Sequence, residues 1–266
     1  MRFASLGSGS EGNALLIECC GPDRPVRLLI DCGFGVREAR RRLGLLGLAE
    51  TDLDAILITH EHGDHVGGAF RLARASGATM YLTRGTLRAC ASLISGAGDG
   101  FVDSERCRLI DPDHPFEIHG VRIEPVAVPH DAREPVQYLI DDGASRLGVV
   151  TDIGHASNHL VKSMRRLDAL LLECNHDAAM LEASDYPMSL KRRIAGPWGH
   201  LSNDASAGLL SGIDQSRLRF VAAAHLSRQN NSPLLAREAL ARGWGARVED
   251  ILVADQDNGL GWLDIR

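Results

Sequence analysis

Short apolar runs separated by clusters of glycine, serine and proline open the chain. Such runs read as buried strands, predicted over 3–6, 14–18 and 26–31. After Gly35 the apolar spacing lengthens to the helical period, predicting an amphipathic helix over 36–46. The run Asp-Ala-Ile-Leu-Ile-Thr at 54–59 reads as another buried strand, ending in a cluster of histidines. A helix over 65–75, a strand over 79–83 and a helix over 86–94 follow. The middle is strand-rich: 108–110, 121–128, 136–140 and 147–151 alternate with turns such as Asp142-Gly143. In the last third strands are predicted over 169–173, 218–224, 251–254 and 260–265, with a helix over 204–211. Ser232-Pro233 reads as an N-cap followed by proline at the first position of a helix reaching 242. Two strand-rich halves with helices outside them predict two packed sheets covered by helices, a four-layer single domain over 1–266.

Composition leaves this picture intact. With 44% hydrophobic and 24% charged residues, 266 residues can bury a large core. No apolar run is long enough to span a membrane, and the first residues lack the apolar stretch of an export signal, so a cytoplasmic location is expected. Lysine and arginine number 29 against 35 acids. The net charge of −6 argues against a strongly basic nucleic-acid binder but leaves room for local basic patches. The six cysteines include no C-x-x-C pair and are expected as free thiols, with Cys32 and Cys174 as core fillers.

The histidines change the picture. His60-Glu61-His62-Gly63-Asp64-His65 places four metal-binding side chains within six residues, directly after a strand. A tight loop there can turn His60 and His62 towards one metal and Asp64 and His65 towards a second. Imidazole with carboxylate suits zinc, manganese or iron. The bland alternative, a histidine-rich surface loop, does not account for so dense a spacing.

This H-x-H-x-D-H loop, preceded by Leu57-Ile58-Thr59, resembles the metallo-β-lactamase superfamily, and the likeness runs through nearly the whole chain. The resemblance implies an α+β fold, a four-layer αββα sandwich, holding two divalent metal ions, zinc or manganese. It implies His60, His62 and His130 on one ion, Asp64, His65 and His225 on the other, and Asp152 between them, with Asp31 supporting the metal loop. Two such ions can share a hydroxide and stabilise both the attacking and leaving oxygens of a displacement.

Within the superfamily the chain is most similar to the YycJ/WalJ group of nucleases. The matching stretches include Ser5 to Asn13, His130-Asp131-Ala132, Glu173-Cys174-Asn175-His176-Asp177, Gly199-His200-Leu201-Ser202-Asn203 and Asn230-Asn231-Ser232-Pro233. Ile153 and His155 depart from the group's pattern. The resemblance implies a phosphodiesterase acting as a 5′→3′ exonuclease on duplex DNA, with a place in DNA repair. The alternative is a PhnP-like phosphodiesterase of small cyclic phosphates using the same centre.

Roles follow for particular residues. Asp64 would bind metal and orient the attacking water as general base. His200 would protonate the leaving oxygen, with Glu173 holding its tautomer; the bland reading makes His200 a helix cap. His176 is a second candidate proton donor. Lys191, Arg192 and Arg193 are candidates to clamp phosphate, against a solvated helix face. Ser227, Asn230, Asn231 and Asn13 are candidate phosphate contacts, against hydrogen bonding within their own turns. The runs at Arg40–Arg42 and Arg165-Arg166 read as solvated faces. Oligomeric state stays open, a homodimer being one option.

Overall fold

The computed structural model describes residues 1–93 and 105–265, and in it the apolar runs become two sheets. β1 (Arg2–Gly7), β2 (Ala14–Cys19), β3 (Val26–Ile30), β4 (Ala55–Leu57), β5 (Thr79–Thr83), β6 (Cys107–Ile110) and β14 (Leu260–Asp264) form the first, in the order β14-β1-β2-β3-β4-β5-β6. β7 (Phe116–Ile118), β8 (Val121–Ala127), β9 (Val136–Asp141), β10 (Arg146–Val150), β11 (Ala169–Glu173), β12 (Phe220–Ala224) and β13 (Ile251–Val253) form the second, in the order β13-β12-β11-β10-β9-β8-β7.

Period-two alternation sorts their side chains into three cores. Ile17, Leu28, Leu57, Tyr138 and Leu171 meet between the sheets. Their neighbours Leu16, Leu29 and Ile56 pack outwards against α1 (Val36–Leu45) and α3 (Ala69–Ser76), through Leu43 and Leu72. Leu172 and Val221 pack outwards on the other side against α5 (Asn158–Ser163), α8 (Asn203–Gly212) and α9 (Pro233–Trp244). Strands covered on both faces are apolar on both faces, which is why these runs lack polar alternation. The arrangement is the four-layer αββα sandwich expected from the sequence. It is fastened across the middle by the buried Tyr138 hydroxyl, which donates to the Ile58 carbonyl at 2.7 Å.

Two helical expectations change. The predicted 65–75 helix is two pieces, α2 (Gly63–Val66) and α3, because the chain at Gly67-Gly68 packs on the backbone of residues 32–34. A Cβ at Gly68 would fall 1.8 Å from the Phe34 carbonyl oxygen, so no larger residue fits. The predicted 86–94 helix starts earlier, as α4 (Arg84–Ala89), because the Thr83 hydroxyl caps it by accepting from the Thr86 amide; its predicted end at 94 lies outside the described residues. α5 and α6 (Ala178–Ala183) were not predicted, although Ser157 and Asp177 cap them. α7 (Met188–Ile194) carries the Lys-Arg-Arg run.

The topology decides where the chemistry sits. β3, β4 and β5 are mutually parallel, as are β10, β11 and β12. β8 runs with β10, both being antiparallel to β9. Six strands therefore deliver the residues that follow them to one edge of the sandwich: Asp31 after β3, His60 after β4, His130 after β8, Asp152 after β10, Asn175 after β11 and His225 after β12. Ligand sites of parallel sheets lie beyond such carboxyl ends.

Candidate metal centre

Three imidazole nitrogens converge at this edge. His62 Nδ1 lies 3.0 Å from His60 Nε2 and 3.3 Å from His130 Nε2. The other nitrogens of these rings are held from behind: His60 Nδ1 by the Thr59 hydroxyl at 2.9 Å, His130 Nδ1 by the Gly199 carbonyl at 3.0 Å. Asp131 Oδ1 approaches His62 Nε2 at 3.6 Å. Rings anchored on one nitrogen and aimed with the other are the usual build of a metal ligand set.

A second, more acidic group lies beside the first. Asp64 Oδ2 is 3.5 Å from His65 Nε2 and 3.4 Å from His225 Nε2. Asp152 Oδ2 is 3.1 Å from His65 Nε2. Behind His65, Asp31 Oδ2 lies 2.8 Å from Nδ1 and also accepts from the Thr59 hydroxyl at 2.7 Å. Behind His225, Glu173 Oε1 lies 3.4 Å from Nδ1. Both Asp152 Oδ2 and His225 Nε2 are buried and make no hydrogen bond of good geometry, although His65 Nε2 and Asp64 Oδ2 stand close by. Burying such atoms without a partner is costly, and a divalent cation is the partner their chemistry suits. The donor atoms group as His60, His62 and His130; as Asp64, His65 and His225; as His60, His65 and Asp152, which ties the two pockets together; and as Asp152, Glu173, His200 and His225. The residues present therefore fit divalent metal binding.

The electrostatics divide the same way. Burial, with His65 alongside, pushes the His60 pKa well below its ordinary range. Burial also disfavours charge on His225, but Asp152, Asp64 and Glu173 outweigh it and lift its pKa to about 10. Burial would raise Glu173, yet the neighbouring His200 and His225 hold it down at about 2. His200 joins this network: its Nδ1 is 2.7 Å from Glu173 Oε1, and the ring stays 20% exposed at the mouth. The other Glu173 oxygen accepts from the amides of Ile153 at 3.0 Å and Leu201 at 3.1 Å. Glu173 thus orients His200 while stapling two loops.

Backbone strain marks the same edge. Asp31, Asp152 and His225 have φ of 61°, 50° and 53°, a left-handed conformation uncommon for residues with a side chain. Each is the residue, or the second residue, after its strand, and the turn swings its side chain into the cluster. Such strain concentrates at functional sites.

The substrate candidates fare differently. Arg193 Nε donates to Asp131 Oδ2 at 2.6 Å, at the rim of the histidine pocket. Lys191 Nζ donates to the Glu182 carbonyl at 2.6 Å, and Arg192 is exposed. The asparagines are corrected by their surroundings. Asn231 donates to the Cys174 carbonyl and to Asn203 Oδ1, and accepts from Asn203 Nδ2 and the Ser232 amide, leaving no polar atom for a substrate. Asn230 is fully buried. Ser227 accepts from the Asn230 amide at 3.2 Å, the turn-internal bond of the alternative reading. Asn13 is a brace rather than a phosphate contact: its Nδ2 donates to the Gly9 carbonyl at 3.0 Å and reaches Asp64 Oδ2 at 3.3 Å. His176 is buried, its Nδ1 unpartnered. Sequence reasoning missed the supports Thr59, Ser8, Asp131 and the Gly199 carbonyl. Asp131 and Thr59 adjoin ligand histidines in sequence, which was the available signal.

Comparison with known proteins matches residues 26–221 to the β-lactamase superfamily domain. The exodeoxyribonuclease YycJ of Bacillus anthracis is 31% identical over 242 residues, 91% of this chain and 88% of that protein. The exodeoxyribonuclease WalJ of Streptococcus pneumoniae is 32% identical over 235 residues, 88% and 85% of the two chains. Among solved structures, Zn(2+)-bound PqqB from Methylobacterium extorquens superimposes with a TM-score of 0.74 at 19% identity, covering 99% of this chain and 100% of PqqB.

Proposed function

The chain belongs to the metallo-β-lactamase superfamily, a hydrolase in the group of the YycJ and WalJ exodeoxyribonucleases, and from that premise we propose that it is a dinuclear phosphodiesterase digesting duplex DNA from 5′ to 3′. The observation that carries the proposal is the adjacency of the two donor groups to the Glu173–His200 pair, all at one strand edge. In this reading residues 1–266 form one domain around that edge.

His60, His62 and His130 would hold one divalent ion, Asp64, His65 and His225 the second, and Asp152 would face both; zinc or manganese suits this mixture of nitrogen and oxygen. When bound, the ions supply Lewis acidity towards a phosphodiester and acidify a water molecule. The protein's own residues do the rest. Asp64, steadied by Asn13, takes the proton of the attacking water at its carboxylate. Glu173 accepts from His200 Nδ1 and, against burial, raises the pKa of the ring, so His200 is held as an imidazolium that gives its Nε2 proton to the leaving oxygen and keeps the Nδ1 proton. Arg192 and Arg193 at the rim meet the phosphate backbone.

The test offers protein loaded with zinc or with manganese an end-labelled DNA duplex and a chromogenic bis-phosphodiester, with Asp64→Ala as control. Stepwise loss of nucleotides from the 5′ end, absent in the variant and weakening steeply with salt, supports the exonuclease. Cleavage of the small ester alone, insensitive to salt, replaces it with a small-molecule phosphodiesterase.

A further inference from the structure

Trp198 is 58% exposed, and it is the single aromatic among the large hydrophobic residues left exposed in the described parts of the chain. Its backbone is held in place. The Trp198 carbonyl accepts from the Asp131 amide at 2.9 Å. A Cβ at Gly154 would fall 2.6 Å from the Trp198 Cα, so only glycine lets the loop after Asp152 pack there. The Pro197 carbonyl lies 2.9 Å from His155 Nδ1, and the Gly199 carbonyl holds His130. Three loops that leave the metal centre, 130–133, 152–155 and 193–200, therefore meet at the backbone of this one residue.

Arg133 and Arg193 are exposed on these loops, Arg193 paired with Asp131, and Arg192 is exposed on α7 next to them. An exposed indole on a loop that adjoins a phosphodiester site, with exposed arginines on the neighbouring segments, has the make-up of a stacking surface for single-stranded nucleic acid.

We propose that Trp198 stacks against a nucleobase of the DNA strand whose phosphodiester lies in the metal centre, so that it selects nucleic acid over small phosphodiesters. This rests on the nuclease reading. Its occupant is a base rather than a second copy of the chain, because the exposed guanidinium groups of Arg133 and Arg192, on and next to these loops, suit a phosphate backbone.

The test compares kcat/KM of wild type, Trp198→Ala and Trp198→Phe on a short DNA duplex and on methyl p-nitrophenyl phosphate. Sedimentation of each variant and anisotropy titration of a labelled single-stranded oligonucleotide accompany it. The alanine variant is expected to lose about 10-fold more on DNA than on the ester, mostly in KM, the size of one lost base–aromatic stack. The phenylalanine variant should recover most of that loss. Equal losses on both substrates, or no loss on DNA, overturn the proposal. So does a change of oligomeric state in the alanine variant, which would make Trp198 an interface residue. If wild type cleaves the ester but not DNA, the nuclease reading fails, and the titration decides Trp198 separately: weaker oligonucleotide binding by Trp198→Ala retains the stacking role, equal or absent binding ends it.

Discussion

The two pockets of the centre share an edge and are built on opposite electrostatic plans. His60, His62 and His130 form an all-nitrogen set in which His60 is backed by the Thr59 hydroxyl and His130 by the Gly199 carbonyl, with Asp131 at the rim. Burial holds both His60 and His130 below their ordinary pKa, so their lone pairs are free. The other pocket carries Asp64 and Asp152 and is backed by Asp31 and Glu173, with no lysine or arginine paired to any of these four carboxylates among the described residues. There the carboxylates lift His65 and His225 above their ordinary pKa. One pocket is thus ready for a cation, whereas the other offers it charge and must shed protons to receive it. Nitrogen-only ligands favour zinc, while added carboxylates admit manganese.

That contrast can be broken most directly at the residue between the pockets. Asp152→Ala should lower turnover on the order of 1000-fold and reduce metal content in both pockets, measured by elemental analysis of dialysed protein. Retention of two ions would mean that the pockets are independent. His200→Ala should cost about 100-fold in kcat with metal content unchanged. Substantial metal loss would make His200 a ligand, and the assignment of His225 would fall. Asp31→Asn should weaken metal binding about 10–100-fold in the acidic pocket alone, read from chelator competition with its two phases resolved. Equal weakening of both phases would show that Thr59 passes the effect on to His60. Asp131→Asn should cost the histidine pocket only a few-fold, because its carboxylate stands 3.6 Å from His62.

Much of the centre was legible because the candidate ligand residues follow apolar strands, and strands announce themselves by composition. Leu57-Ile58-Thr59 before His60 and the three alanines before His225 are cases in point. The supports were not legible. Asn13 reaches Asp64 across 51 positions, and the His225 amide donates to the Ser8 hydroxyl across 217. No local pattern encodes such partners. For the same reason Asn230 and Asn231, polar and set in a turn, looked like substrate contacts until their burial placed them inside.

By itself the sequence determined the strand and helix pattern, the dense metal loop, and the order of the later histidines and aspartate. These depend on periodicity and residue chemistry, which are local. Only the tertiary structure decided which nitrogen of each ring faces the centre and that Asp31, Asp152 and His225 sit in strained turns. It also decided that Trp198 stands exposed where three loops bearing candidate site residues meet. Those outcomes follow from parallel strands of two sheets ending at one edge, where residues far apart in the chain must share a small volume and satisfy one another's hydrogen bonds and charge.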